Sequence, residues 1–268
     1  MLAEEQEFLL EVKGISSAYD GENILEDVSL SFSPGLVYSI IGPNGCGKST
    51  LIKTISSELK PRKGSILLQG KSLAEMTARQ IARKMAVLVQ EDMSLLSDTT
   101  VRQLVSYGRY AYQSFFRKSA YEDQKIIEQA MQEARVSDLS ERHFTTLSGG
   151  ERQRSRLAMC LAQKPEILLL DEPTTYLDIA HQLEMMDLIA RLNREQKLTV
   201  IMVLHDLNHA LNYSDQLIFL KDKRVQAQLS PEKALETKAF EEIFHIRTEV
   251  LTSHEDGTPV LHARRWEL

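Results

Sequence analysis

The chain has 268 residues, 43% of them hydrophobic and 26% charged, which is ordinary globular composition with room for one large α/β domain or two smaller ones. A net charge of −6 at pH 7 argues against a general nucleic-acid binder, which carries a basic surplus. Two cysteines, Cys46 and Cys160, suggest no disulfide framework and fit a reducing compartment.

The acidic start MLAEEQEFLLEVKG lacks the positive end and apolar centre of a signal peptide. No apolar run approaches the roughly 20 residues that span a bilayer, so membrane association is expected only through a partner. FLLEVKGISSAY and ILEDVSLSFSPGLVYSIIG read as strands broken by Gly, Asp and Pro turns. The second run leads into IIGPNGCGKST, which fits G-x-x-x-x-G-K-S with Gly42, Gly47, Lys48 and Ser49 at the fixed places. Glycines let backbone N–H groups crowd around phosphate oxygens, and a helix from Lys48 to about Glu58 adds its positive N-terminal end. Lys48 can reach the β- and γ-phosphates of a nucleotide, and the Ser49 hydroxyl can ligate Mg²⁺. Cys46, between a helix N-terminus and Lys48, is expected to favour thiolate.

PRKGSILLQG follows as turn, strand and turn, LAEMTARQIARK as helix, and MAVLVQ as a buried strand ending on Gln90. From about residue 91 the chain turns helical: TTVRQLVSYGRY, then SAYEDQKIIEQAMQEARV with Ile126, Ile127, Ala130, Met131 and Ala134 on one face. TLSGGERQR opens another helix at Ser148, Gly149 and Gly150, whose outward N–H groups make a second anion-binding helix end. The strand EILLL ends on Asp171 and Glu172, and LTVIMVL ends on His205, with the helix IAHQLEMMDLIARLNREQ between; that alternation predicts a parallel sheet. Ligands gather beyond the carboxyl ends of such strands. Asp171 is placed to hold Mg²⁺, Glu172 to orient or deprotonate an attacking water, and His205 to donate to a γ-phosphate. Gln90 could touch Mg²⁺ or that water. The strand QLIFLKDKRV, the helix PEKALETKAFEEIF and the hairpin TEVLTSHEDGTPVLHARR, turning at Asp256-Gly257, complete the chain.

Taken in order, these stretches resemble the nucleotide-binding subunit of an ATP-binding cassette transporter. Gly42, Pro43, Asn44, Gly45, Cys46, Gly47, Lys48, Ser49 and Thr50 match its Walker A motif, and Gln90 its Q-loop. Leu147 to Glu151, with Ser148, Gly149, Gly150 and Glu151, match its signature; Ile167 to Glu172 match Walker B. Tyr176 to Asp178 fall in the D-loop, His205 matches the switch histidine, and Tyr19 fits the aromatic that stacks on adenine. The resemblance implies an α/β P-loop NTPase core with a mixed or parallel sheet, an N-terminal antiparallel β subdomain, and a helical subdomain inserted at about 91–163. The ATPase domain is expected over 1–230, with a short extension over 231–268. It also implies ATP with Mg²⁺ (metal contacts from Ser49, Gln90 and Asp171) and head-to-tail pairing, in which Walker A of one copy and the signature of a second copy hold one ATP. Partners are then integral membrane permease subunits and, indirectly, an extracytoplasmic substrate-binding protein, with no nucleic acid. The chain would sit at the cytoplasmic face of the membrane. The stretches EPTTYLDIAHQLEMMDLI, VSYGRY and VLHDLNHALNYSDQLIFLKDKRV resemble the ATPases of iron–siderophore, haem and vitamin B12 importers, ferric siderophore first among them. The alternative from another class is a regulatory or repair ATPase acting on nucleic acid.

Overall fold

A computed structural model describes residues 8–19, 21–89, 98–112, 120–254 and 257–265. Strands β1 (Leu10–Tyr19), β2 (Glu22–Phe32) and β3 (Val37–Ile41) lead into helix α1 (Lys48–Ile55), then β4 (Lys63–Leu68) and β5 (Lys71–Ser72). Next come α2 (Ala78–Ala82), β6 (Met85–Leu88), α3 (Val101–Tyr107), α4 (Ala120–Glu133), α5 (Gly149–Ala162), β7 (Ile167–Asp171) and α6 (Ile179–Gln196). The chain ends with β8 (Thr199–Val203), α7 (Leu207–Tyr213), β9 (Gln216–Lys221), β10 (Arg224–Leu229), α8 (Pro231–Glu236), α9 (Ala239–Phe244), β11 (Ile246–Thr252) and β12 (Pro259–Arg265). These elements form two compact units, Met1–Glu75 with Thr199–Leu268, and Met76–Leu198.

The first unit holds an antiparallel sheet in the order β2-β1-β4-β5, the expected N-terminal β layer. Beside it in sequence but in another sheet, β3 lies between β8 and β9, parallel to both, and β10 returns antiparallel to β9. That makes the sheet mixed. All five residues of β3 are buried, as a Val/Ile/Tyr-rich strand covered on both faces should be. Its one polar residue, Ser39, is bonded at 2.6 Å to the hydroxyl of Ser214. The Leu204 N–H, just past β8, donates to Ile40 at 3.2 Å, so β8 delivers His205 beside the strand that feeds the glycine-rich loop.

The second unit holds the parallel pair β6 and β7 and the packed helices α3, α4 and α5. Ala130, Met131 and Ala134 are buried, with Ile126 and Ile127 half-buried beside them, which is the expected apolar face of α4 and its C-terminal continuation.

Three expectations are corrected. QLIFLKDKRV is not one strand but the hairpin β9–β10, joined by Asp222 and Lys223, both left-handed (φ 49 and 67). Two left-handed residues make the tight turn that matches strand twist, and Asp-Lys lacks the glycine that signals it. PEKALETKAFEEIF splits into α8 and α9 at Thr237, whose extended backbone (φ −98, ψ 169) ends the first helix while its hydroxyl bonds the Ala234 carbonyl and the Ala239 N–H. Helix α1 stops at Ile55 rather than near Glu58, because Ser57 is left-handed (φ 66). The terminal hairpin β11–β12 forms as expected, although Glu255 and Asp256 in its loop lie outside the described residues.

Candidate nucleotide site

Residues Gly42 to Gly47 turn the chain from β3 into α1. A Cβ at Gly42 would stand 2.0 Å from the Leu220 carbonyl oxygen, so only glycine fits where the loop leaves the sheet. Gly47 is the N-cap of α1, left-handed at φ 107, and it offers no side-chain cap. By contrast α2, α3, α5, α6 and α7 are each capped by an oxygen of Thr77, Thr100, Ser148, Asp178 or Asp206. The N-terminal end of α1 thus carries no capping side-chain oxygen of its own, and the positive end of its dipole favours an anion. Lys48 is buried, and its ammonium donates to the carbonyls of Gly42 (2.9 Å) and Pro43 (3.0 Å), so its charge lies inside the loop. Ser49 and Thr50 follow in the first turn.

Cys46 corrects one expectation. Burial pushes its thiol above the ordinary value, and the attraction of Lys48 offsets this only in part. The Cys160 thiol, fully buried, is pushed up further, to about 12.

In the second unit, Asp171 ends β7 and is buried; Glu172 follows in a left-handed conformation (φ 52) and is half-buried. Tyr176 in the same turn is also left-handed (φ 64) and 92% exposed. Each such residue costs on the order of 1 kcal/mol. The turn is held by its own bonds: the Thr175 hydroxyl donates to Glu172 Oε2 at 3.0 Å, and the Thr175 N–H donates to the Glu172 carbonyl at 3.2 Å. Asp178 closes it as the N-cap of α6, where Oδ1 accepts from the N–H and ring Nδ1 of His181 at 2.9 and 2.7 Å. Those bonds, the backbone one foremost, hold the Asp178 carboxyl below the ordinary range.

Helix α5 begins with a reciprocal cap. Ser148 Oγ accepts from the Glu151 N–H at 3.3 Å, and Glu151 Oε2 accepts from the Ser148 N–H at 2.7 Å. Its end is therefore less open than the glycines suggested: the box uses the N–H groups of Ser148 and Glu151 and leaves those of Gly149 and Gly150. The Ser148 N–H is the main reason the Glu151 carboxyl titrates low.

His205 stands exposed between Leu204 and Asp206, and Asp206 caps α7 by accepting from the N–H groups of Asn208 and His209. Gln90 lies outside the described residues, and of Tyr19 only the backbone at the end of β1 is described. Sequence reasoning passed over Thr175 and His181. Their signals were present: a hydroxyl three residues after Glu172, and a histidine three residues after the capping Asp178.

The family model for ABC transporters matches residues 25–175. The iron(3+)-hydroxamate import ATP-binding protein FhuC of Bacillus subtilis (strain 168) is 42% identical over 251 residues, 94% of this chain and 93% of its own. The ferric enterobactin transport ATP-binding protein FepC of Escherichia coli (strain K12) is 38% identical over 247 residues, 92% of this chain and 91% of its own. Among solved structures, an inward-facing transporter described as metal-chelate type superposes with TM-score 0.82 at 24% identity, over 97% of this chain and 98% of its own; it shares the fold. A dimeric ATP-binding cassette in a post-hydrolysis state with ADP and Pi gives TM-score 0.73 at 27% identity, over 83% of this chain and 98% of its own.

Proposed function

The chain belongs to the ABC transporter family and is an ATPase of its importer type, and from that premise we propose that it drives a ferric siderophore through a separate membrane permease. The observation that supports nucleotide binding here is the α1 N-terminus: a helix without a side-chain cap, with a buried lysine charge inside the preceding loop. The substrate class rests on relatives named for ferric siderophores and iron(3+)-hydroxamate.

Residue roles follow from chemistry. Lys48 exchanges two carbonyl partners for the β- and γ-phosphate oxygens, a stronger charge-assisted bond. The first-turn N–H groups of α1 and the loop amides hold the remaining oxygens. The oxygens of Ser49 and Asp171 suit a hard cation such as magnesium, which binds through one or two protein oxygens. When bound, it neutralises charge building on the transferred phosphoryl group. Glu172 accepts a proton from the attacking water, and the Thr175 hydroxyl fixes the rotamer in which it does so. His205 donates to the γ-phosphate, Gln90 senses the metal or water, and Tyr19 stacks on adenine. Ser148, Gly149, Gly150 and Glu151, with Asp178, complete the site of a second copy paired head to tail. No helix among the described residues is long and apolar enough to cross a membrane, so the proposed seat at its cytoplasmic face is through the permease.

The test is reconstitution. Vesicles carrying this chain with its co-purified permease and receptor should take up a ferric hydroxamate when Mg-ATP is supplied on the side of this chain. Vesicles with Lys48→Ala should not. Uptake of haem or cobalamin, with none of any ferric siderophore, would contradict the substrate assignment.

A further inference from the structure

Gly150 is helical, with no left-handed backbone to explain a glycine. The explanation is a neighbour: a Cβ at 150 would lie 2.7 Å from Cδ2 and 3.2 Å from Cγ of the His181 imidazole. That ring is not free to yield. Asp178 Oδ1 accepts from both the N–H and the Nδ1–H of His181, so the residue is held at backbone and ring together. The ring is thus a wedge, tethered to the N-cap of α6 on one side and lying against the first turn of α5 on the other. Beside the ring, one bond links α5 to the turn and another ties the turn to α6. Gln153, nearly buried on α5, donates to the Pro173 carbonyl at 3.0 Å, and Gln182 on α6 donates to the Leu177 carbonyl at 2.9 Å.

We propose that His181 is a positioning residue for ATP hydrolysis, which sets the first turn of α5, with the N–H groups of Gly149 and Gly150, in fixed register with the turn that carries Glu172 to Asp178. The inference rests on the functional reading above, because register matters there: the α5 donors and Asp178 must meet the phosphates of the second copy's ATP from separate segments, while Glu172 in the same turn serves this chain's own. Misplacing such groups by about 1 Å can cost on the order of a hundredfold in rate. The reciprocal cap of Ser148 and Glu151 forms the end of α5 but cannot set its distance from the 172–178 turn; the imidazole does so at the first turn, with the Gln153–Pro173 bond one turn further along. Glycine at 150 is then a packing requirement imposed by residue 181. Moving Tyr176 to Asp178 therefore also moves the α5 end through the imidazole.

The experiment is a double-mutant cycle in the full chain: Gly150→Ala, His181→Ala, both together, and His181→Phe. Turnover at saturating Mg-ATP, ATP affinity with a fluorescent analogue, and melting temperature are read for each. In Gly150→Ala the methyl displaces the ring and breaks its bond to Asp178, so turnover should fall about tenfold or more while ATP affinity stays within about twofold. In the His181→Ala background the same methyl meets no ring, so Gly150→Ala should cost little beyond His181→Ala alone. His181→Phe keeps a ring and the backbone bond but loses the ring's bond to Asp178, and should lower turnover severalfold with the affinity unchanged. An equal fold-loss from Gly150→Ala in both backgrounds would overturn the proposal, as would His181→Phe turning over like the parent. If the unsubstituted chain hydrolyses no ATP, the functional reading is what fails. The 150–181 coupling must then still appear in the melting temperatures, and its absence there would remove the wedge as well.

Discussion

In the proposed function Lys48 is the residue on which nucleotide affinity turns, because its ammonium is already confined by the Gly42 and Pro43 carbonyls and needs no long search for a phosphate. Lys48→Ala should weaken ATP binding about 10- to 100-fold, the range of one or two charge-assisted hydrogen bonds. A fluorescent-analogue titration checks it, and unchanged affinity would contradict the placement. Cys46 was half legible. Its position beside a helix N-terminus and a lysine could be read from spacing, but its burial depends on how the loop folds in space, and burial wins. Because both thiols titrate above the ordinary range, neither is mostly thiolate at pH 8. Alkylation of Cys46 should be slower than that of a free thiol and should rise as pH climbs toward its raised value, whereas Cys160 should react only on unfolding. Mass spectrometry of iodoacetamide-treated protein across pH 7–10, with and without Mg-ATP, reads this, and Mg-ATP should protect Cys46. Rapid labelling of Cys160 in the folded chain would contradict the burial.

Helix ends carry the next level of the account. Two of them looked alike in sequence, and the structure separates them: α1 after Gly47 has no side-chain cap, while α5 after Ser148 has a reciprocal one. Helices α2 and α3 use the same box with Gln80 and Gln103, but α5 uses Glu151, so only its box among these three titrates. Since the folded Glu151 carboxyl lies below its ordinary value, its contribution to stability is complete above that value, near pH 4.3, and is lost as pH falls through the lower, folded one. Glu151→Gln should therefore melt with less acid sensitivity between pH 5 and pH 3 than the parent, and Ser148→Ala should cost about 1 kcal/mol at neutral pH. Thermal melts across that range decide it, and parallel acid curves would contradict the assignment. The elements with strong periodicity, α4 and α6, and the buried strands β3, β7 and β8 were legible because one pattern of burial fixes each. The β9–β10 turn was not, because Asp222 and Lys223 adopt left-handed backbone that their side chains only weakly prefer, and the α8–α9 break was not, because the helix formers on both sides of Thr237 mask its extended backbone.

At the scale of the molecule, the motifs are legible in order while their assembly is not. The extension after Ser230 illustrates this: sequence gives a helix and a hairpin, but not that Phe240 stacks edge-on against Phe219 of β9 at 5.2 Å, or that Asn208 of α7 bonds both the N–H and the carbonyl of Leu261 in β12. Those contacts make residues 231–265 part of the first compact unit and tie them to the helix that follows His205. The account as a whole stands on one claim, that ATP held by Lys48 and its loop is hydrolysed through Glu172 in a pair of chains. Purified Glu172→Gln protein tests it most directly, with ATP turnover and sedimentation measured on the same sample. The amide keeps the shape but not the base, so turnover should fall at least about a hundredfold, with ATP retained and an ATP-dependent dimer in the sedimentation profile. Turnover near that of the parent, or a variant that stays monomeric with ATP bound, would contradict it.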